Sequence, residues 1–308
     1  MKDFKLFSAS SNLPLAQKVA SELGIKLGKA EIHKFSNNET RVRVSENVRG
    51  KTCAVLGSMS TPVDENWVEL LFFIDALKRN GASKVIGIIP WLGYQKQDKA
   101  FRIGEAVSVA VVAKTLEAVG MDQLITFDLH SSQIANYFKN PPIVLSAFEL
   151  FINEIKKFTL SPSKGPQHFV TVAPDEGAYW VSDFARKLGI GLVQMDKTRD
   201  KVTARISENL TIHGDVNGKT CIIIDDNIYT GKTLILNAKA LKDKGAEKVI
   251  CFVTHPILSG NAPMLLQNSQ IDSLTVTDTI FIPKEKQFPK LSIISINKSL
   301  AEAIGKMI

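Results

Sequence analysis

One feature constrains this chain more than any other: part of it occurs twice. Ala76 to Ile86 (ALKRNGASKVI) recurs as Ala240 to Ile250 (ALKDKGAEKVI), with eight of eleven positions identical. Upstream, Gly50-Lys51-Thr52-Cys53 recurs as Gly218-Lys219-Thr220-Cys221. Two ordered matches at nearly the same offset make chance a poor explanation. Each tetrapeptide leads into a short apolar run, Ala54-Val55-Leu56 or Ile222-Ile223-Ile224. Each run is followed by a helical segment that stops at a glycine, Gly81 or Gly245, and then by a second apolar run, Val85 to Ile89 or Val249 to Val253. Short apolar runs joined by helical crossovers are parallel strands buried on both faces. The expected architecture is α/β, with two duplicated domains, each a parallel sheet between helices. The boundary is expected near position 145, giving domains 1–145 and 146–308, and the last helix, Ser299 to Met307, is expected to pack back on the first domain.

The two copies differ at one strand end. The second reads Asp225-Asp226 where the first reads Gly57-Ser58. In open α/β sheets ligands bind beyond the carboxyl ends of the strands, so only the second copy carries acids where chemistry is expected. The segment continues Asn227-Ile228-Tyr229-Thr230-Gly231-Lys232-Thr233, and its Gly-Lys-Thr tail matches the tail of an ATP-binding P-loop. A P-loop needs a glycine five residues before that last glycine. Asp226 stands there, which excludes the P-loop. What remains is a pair of acids, able to accept from vicinal hydroxyls of a sugar, and a turn at a helix N-terminus whose N–H groups suit a phosphate. Lys232 adds a point charge. A ribose 5-phosphate presents both features a few ångströms apart.

Composition fits such a ligand. Lysine and arginine number 38 against 31 acids, a formal charge of +7, and no basic stripe is interleaved with aromatics as a nucleic-acid surface requires. No apolar run is long enough for a membrane span, and Met1-Lys2-Asp3-Phe4-Lys5 does not open a secretory signal. Cys53, Cys221 and Cys251 form no CxxC pair and sit in apolar surroundings, as buried reduced thiols of a cytoplasmic protein do.

Further polar segments punctuate the chain. Phe35-Ser36-Asn37-Asn38-Glu39 is a turn between apolar elements. Asparagine tolerates positive φ, which such a turn needs. Pro90-Trp91-Leu92-Gly93-Tyr94-Gln95-Lys96-Gln97-Asp98-Lys99 follows a strand. Leu124 to His130 reads as a strand whose alternation puts Asp128 and His130 on one face. Ala173-Pro174-Asp175-Glu176-Gly177-Ala178 joins a strand to the helix Tyr179 to Leu188, and Asp196-Lys197-Thr198-Arg199 is a basic loop.

Taken in order, these segments resemble the ribose-phosphate pyrophosphokinases, the phosphoribosyl pyrophosphate synthases. The segment at 225–233 is similar to the ribose-phosphate loop that this family shares with type I phosphoribosyltransferases. Five segments in family order span most of the chain, and Gly104-Glu105-Ala106-Val107-Ser108 and Lys-Thr-Arg resemble the archaeal-type members. The resemblance implies two type I phosphoribosyltransferase-like domains. It also implies transfer of the β,γ-pyrophosphoryl group of ATP to the 1-hydroxyl of ribose 5-phosphate. Phe35, Asn37, Asn38, Glu39, Lys96, Gln97, Asp98 and His130 correspond to the ATP contacts. Asp225, Asp226, Tyr229, Thr230, Gly231, Lys232 and Thr233 correspond to the ribose 5-phosphate contacts. His130 and Asp175 correspond to Mg²⁺ contacts. Lys197 and Arg199 correspond to a basic pair on a mobile catalytic loop, with Arg199 also near the ribose phosphate. Departures stand at Asn37 and Asn38 (usually Asp-Gly), Lys96 (usually arginine), Tyr229 (usually an acid) and Lys232 (glycine in most synthases). Relatives are homo-oligomers, dimers or hexamers. Two rival readings are a phosphoribosyltransferase, which needs only the second half, and a non-catalytic regulatory relative. A nucleic-acid-binding module ranks below both.

Overall fold

A computed structural model describes residues 3–159, 165–174, 180–199 and 206–308. The chain divides into two compact units: Met1–Ser146 with Asp278–Phe281 and Ser295–Ile308, and Ala147–Thr277 with Ile282–Ile294. In the first lie β1 (Phe4–Ser8), α1 (Leu13–Glu22), β2 (Ala30–Lys34), β3 (Thr40–Val44), β4 (Thr52–Leu56), α2 (Val63–Arg79), β5 (Lys84–Ile88), α3 (Ser108–Ala118), β6 (Gln123–Phe127) and β7 (Ile143–Leu145). The second holds α4 (Phe148–Thr159), β8 (Phe169–Ala173), α5 (Trp180–Leu188), β9 (Gly191–Arg199), β10 (Ile206–His213), β11 (Thr220–Ile228), α6 (Lys232–Asp243), β12 (Lys248–Pro256), α7 (Ala262–Gln267), β13 (Ser273–Thr277) and β14 (Leu291–Ile294). A last helix, α8 (Asn297–Gly305), returns to the first unit and packs on α1.

The duplication is visible strand by strand. The first sheet runs β1-β4-β5-β6-β7 and the second contains β8-β11-β12-β13-β14 in the same order, all parallel. Even the register repeats: Thr52 faces Lys84, and Thr220 faces Lys248. Both crossover helices stop in the same way. Gly81 (φ +85°) and Gly245 (φ +90°) are left-handed, and the following alanine N–H reaches back to Leu77 or Leu241. That is a Schellman stop, which needs a residue at ease at positive φ. The match extends to a third strand. Asp122 accepts from the Val85 N–H and pairs with Lys78; Asp272 does the same for Val249 and Lys242.

The second sheet is not purely parallel as expected. It gains β9 beside β8, and β10 lies antiparallel to β9 at the edge. Its two faces are covered separately. Cys221, Ile223 and Val249 pack with Leu234, Ala238 and Leu241 of α6, while Ile222, Ile224 and Phe252 pack with Phe151, Ile155 and Phe184 of α4 and α5. The three cysteines are free and buried, and burial pushes the Cys53 thiol up to about 11 and Cys221 up to about 12. Among the described residues no helix is long and apolar enough to cross a membrane.

Candidate active site

The carboxyl end of β11 is the point where the second sheet reverses its winding. β8 leads outward to β9 on one side, and β11 leads to β12 on the other. A crevice at such a point is where open α/β sheets bind ligands. β11 pairs with β8 only as far as Ile223, opposite Val172, but with β12 as far as Ile228. The strand therefore continues through the two acids rather than ending at them. Asp225 and Asp226, both half-buried, emerge beyond the last rung shared with β8. Asp225 accepts the N–H of Asp226 at 2.9 Å.

The turn that follows is held from behind. Leu258 and Ser259 donate their N–H groups to the carbonyls of Ile228 and Tyr229 at 3.1 and 2.9 Å. Gly231 caps α6 at φ +74°, ψ −3°, and a Cβ on it would lie 3.0 Å from Leu266, so conformation and space both call for glycine. Thr230, Lys232 and Thr233 are exposed around this helix start, which carries no acid in its first turn. The open N–H groups and the Lys232 ammonium make an anion-seeking end. Tyr229 is half-buried, and burial, helped by the Asp226 carboxylate, pushes its phenol up to about 12. It is a neutral hydroxyl at ordinary pH.

The equivalent place in the first unit is closed. A Cβ on Gly57 would lie 2.6 Å from the Cβ of Ala9, and the Ala9 N–H bonds the Leu56 carbonyl at 2.8 Å, sealing β1 to β4. The Ser11 hydroxyl accepts the Ser58 N–H at 2.8 Å. Glu69, a buried carboxylate of α2, takes both the N–H and the hydroxyl of Ser10 at 2.6 and 2.7 Å. The first turn of α2 carries Asp64 and Glu65, which satisfy its own helix dipole.

Those two acids organise the other candidate segments. Glu65 pairs with Lys34 at the end of β2, beside Phe35, and Asp64 accepts from the Tyr94 hydroxyl. That bond and part burial raise the Tyr94 pKa above its ordinary value. The β2–β3 turn closes with the Phe35 N–H bonded to Glu39 at 2.9 Å. Asn38 adopts φ +66°, as asparagine was expected to allow, and the Asn37 amide oxygen accepts the Glu39 N–H at 3.2 Å. Phe35 is 44% exposed, an aromatic face available to a base. Lys96 and Gln97 are exposed, Asp98 is buried, and the Gln97 amide oxygen accepts from Ser108 at 2.6 Å.

Two expectations need correction. β6 stops at Phe127, where its pairing with β7 runs out opposite Leu145. Asp128 turns to φ +25°, so strand alternation does not place Asp128 and His130 on one face. His130 is exposed, and its N–H is fixed by the Gln95 amide oxygen at 2.7 Å. The segment at 196–199 is strand rather than loop. The Lys197 backbone faces Leu210 and Arg199 faces Ile206 in the β9–β10 hairpin, with only the backbone described at these two positions. Asp175 lies outside the described residues. Sequence reasoning passed over Gln95 and Glu69. The only signal at Gln95 is an amide in a turn that otherwise buries Trp91 and Leu92.

Among the described residues no three His, Cys, Asp or Glu side chains gather as a metal cage. The half-buried pair Asp225 and Asp226 offers oxygen ligands of the kind Mg²⁺ takes, an ion that keeps waters and needs few protein ligands.

Fold and site together define a duplicated α/β protein of phosphate-handling type, with an open crevice at the switch point of the second sheet and a closed one at the equivalent strand end of the first. Residues 4–120 match the N-terminal domain of ribose phosphate pyrophosphokinase, and residues 191–308 match the phosphoribosyl synthetase-associated domain. The chain is 40% identical over 306 residues to ribose-phosphate pyrophosphokinase 1 of Streptococcus pneumoniae, covering 99% of this chain and 94% of that protein. It is 42% identical over 303 residues to the Lactococcus lactis protein of the same name, covering 98% and 92%. The crystal structure of phosphoribosylpyrophosphate synthetase from Mycobacterium smegmatis superposes with a TM-score of 0.92 at 34% identity, covering 99% of this chain and 98% of that one. The chain belongs to the ribose-phosphate pyrophosphokinase family.

Proposed function

We propose that this enzyme moves the β,γ-pyrophosphoryl group of ATP onto the 1-hydroxyl of ribose 5-phosphate, releasing AMP and phosphoribosyl pyrophosphate. One observation carries the reading. The same five-strand core occurs twice, but the winding reverses only in the second sheet, and the ends of the equivalent strands β4 and β11 carry opposite chemistry. One sugar-phosphate cradle is thereby left, in the second unit, and the first unit is free for the nucleotide.

In this assignment Thr230, Gly231, Lys232 and Thr233 hold the 5-phosphate through backbone N–H groups, hydroxyls and the ammonium. Asp225 and Asp226 accept from the ribose hydroxyls, and the neutral Tyr229 hydroxyl lines the same turn. Phe35 stacks on the base. Asn37, Asn38, Glu39, Lys96, Gln97, Asp98 and His130 hold the remainder of ATP. The 1-hydroxyl oxygen attacks the β-phosphorus, its proton leaves, and the bond from that phosphorus to the AMP oxygen breaks. The protein's task in such a transfer is positioning and charge neutralisation. Lys197 and Arg199 stabilise charge on the moving group. Asp175 and His130 are the residues that would hold Mg²⁺, which supplies neutralisation of the polyphosphate when bound. The family's habit of assembly makes a homo-oligomer, dimer or hexamer, part of the same proposal; light scattering on the eluting protein reads it.

A phosphoribosyltransferase would leave the Phe35 turn and the Lys96–Asp98 segment without a use. The test is incubation with ATP, Mg²⁺ and ribose 5-phosphate. AMP formation that depends on ribose 5-phosphate is expected. AMP appearing equally without the sugar, or not at all, overturns the reading.

A further inference from the structure

Gln95 is fully buried in the turn after β5, yet only half of its amide is used. Its oxygen accepts the His130 N–H at 2.7 Å. Its Nε2 has no hydrogen-bond partner and no access to solvent. The orientation is forced, because a flipped amide would set donor against donor at His130. A buried, unsatisfied donor costs free energy that an apolar side chain of the same size would avoid. Packing alone therefore does not explain a glutamine here.

What the other half of the amide does is specific. Gln95 lies directly before Lys96 and Gln97, and directly after Tyr94, whose left-handed backbone (φ +63°) sets the turn. His130 lies three residues past the end of β6, behind the left-handed Asp128. Between the two loops the adjacent strands pair only as far as Ile88 opposite Ile125. Past that rung, the Phe127 N–H reaches the Pro90 carbonyl at a long 3.3 Å. The Gln95–His130 bond is shorter and ties the loops at their far ends.

We infer that Gln95 is a positioning residue for nucleotide use. It sets the distance between the Lys96–Gln97 pair and His130, so that both reach one polyphosphate. This rests on the assignment of ATP to the first unit. It predicts an unusual combination. Gln95→Met keeps the volume, loses the acceptor and removes the unsatisfied donor. Its melting temperature should stay within about 2 °C of the parent enzyme's, because the lost bond to the part-buried His130 N–H and the relief of the unsatisfied Nε2 oppose each other, while KM for ATP rises about tenfold, the scale of one lost hydrogen bond, and KM for ribose 5-phosphate stays within about twofold. In a His130→Ala background the same substitution should change KM for ATP by less than about twofold, since the group it positions is gone. A lower melting temperature with unchanged KM for ATP would make Gln95 a packing residue and overturn the inference. So would full additivity with His130→Ala, or equal rises in both KM values. Parent enzyme that turns over while Gln95→Met is kinetically unchanged overturns this inference alone. Parent enzyme without turnover overturns the functional reading as well.

Discussion

The two units have the same sheet order, the same strand register and the same Schellman stops, and they differ where an anion would sit. In the second unit the helix after the central strand opens with an exposed lysine and two exposed threonines flanking a left-handed glycine. In the first, the equivalent helix opens with two acids, and the crevice beneath it is filled by the Gly57–Ala9 contact and by Glu69 on Ser10. The interiors differ in the same sense. Met59 and Phe73 are buried in the first unit, whereas the corresponding Asn227 and Asn237 of the second are buried with their amide nitrogens unpaired. The lesson is that a phosphate crevice is a small addition to this scaffold. A few side chains suffice to close it, and the acids at the start of the helix above it, Asp64 and Glu65, brace the neighbouring turns through Tyr94 and Lys34.

The comparison can be broken hardest at its closed crevice. Gly57→Asp, which copies the second unit's acid into the first, should cost about 3 kcal/mol or more, from overpacking on Ala9 and an unpaired buried carboxylate. Calorimetry should then show a fall in Tm of about 6–12 °C; an unchanged Tm would mean that the crevice is open after all. Next is the hairpin that only the second sheet incorporates. Lys197→Ala should lower kcat about a hundredfold or more, the scale of losing one preorganised donor, and near-normal turnover removes Lys197 from the chemistry. The shared framework gives a matched pair. Asp122→Ala and Asp272→Ala each orphan a strand N–H and a lysine, and each should cost about 2 kcal/mol in denaturant titrations. Clearly unequal losses would show that the repeat is unequal in energy as well as in chemistry. At the open crevice, Lys232→Glu should raise KM for ribose 5-phosphate about tenfold, by reversing the charge at the helix start, and leave KM for ATP unchanged. The smallest effect concerns pH. The Tyr229 phenol, at about 12 when folded against a model value of 10.0, keeps its proton when the unfolded chain has lost it. Stability should therefore fall as pH rises from about 10 to 12, and Tyr229→Phe should flatten that part of the profile.

What could be read from the sequence was local or repeated. The helix stops at Gly81 and Gly245, the parallel crossovers and the positive φ at Asn38 each follow from a few adjacent residues. So did the exclusion of a P-loop, which needed only a count to Asp226. The failures involve partners distant in sequence. β6 ends at Phe127 because β7 is only three residues long, a fact no pattern in residues 124–130 contains. Residues 196–199 are polar and look like a loop, but they are extended because residues 206–213 lie alongside them. Gln95 is invisible for the same reason, since its meaning lies in a bond to a residue 35 positions away.

The path of the chain's last stretch has a consequence for synthesis. Asp278 lies in the first unit, where its carboxylate holds Lys18, Ser295 and the Ile296 N–H, and its carbonyl takes the Asn12 amide. α8 then covers α1, joining residues near the start of the chain to residues near its end. Domains emerging from a ribosome ordinarily close in the order in which they are made. Here the unit begun first must wait with α1 uncovered until α8 has left the exit tunnel, by which time all the strands of the unit begun second have been made. The first unit therefore completes its packing only after the strands of the second have been made.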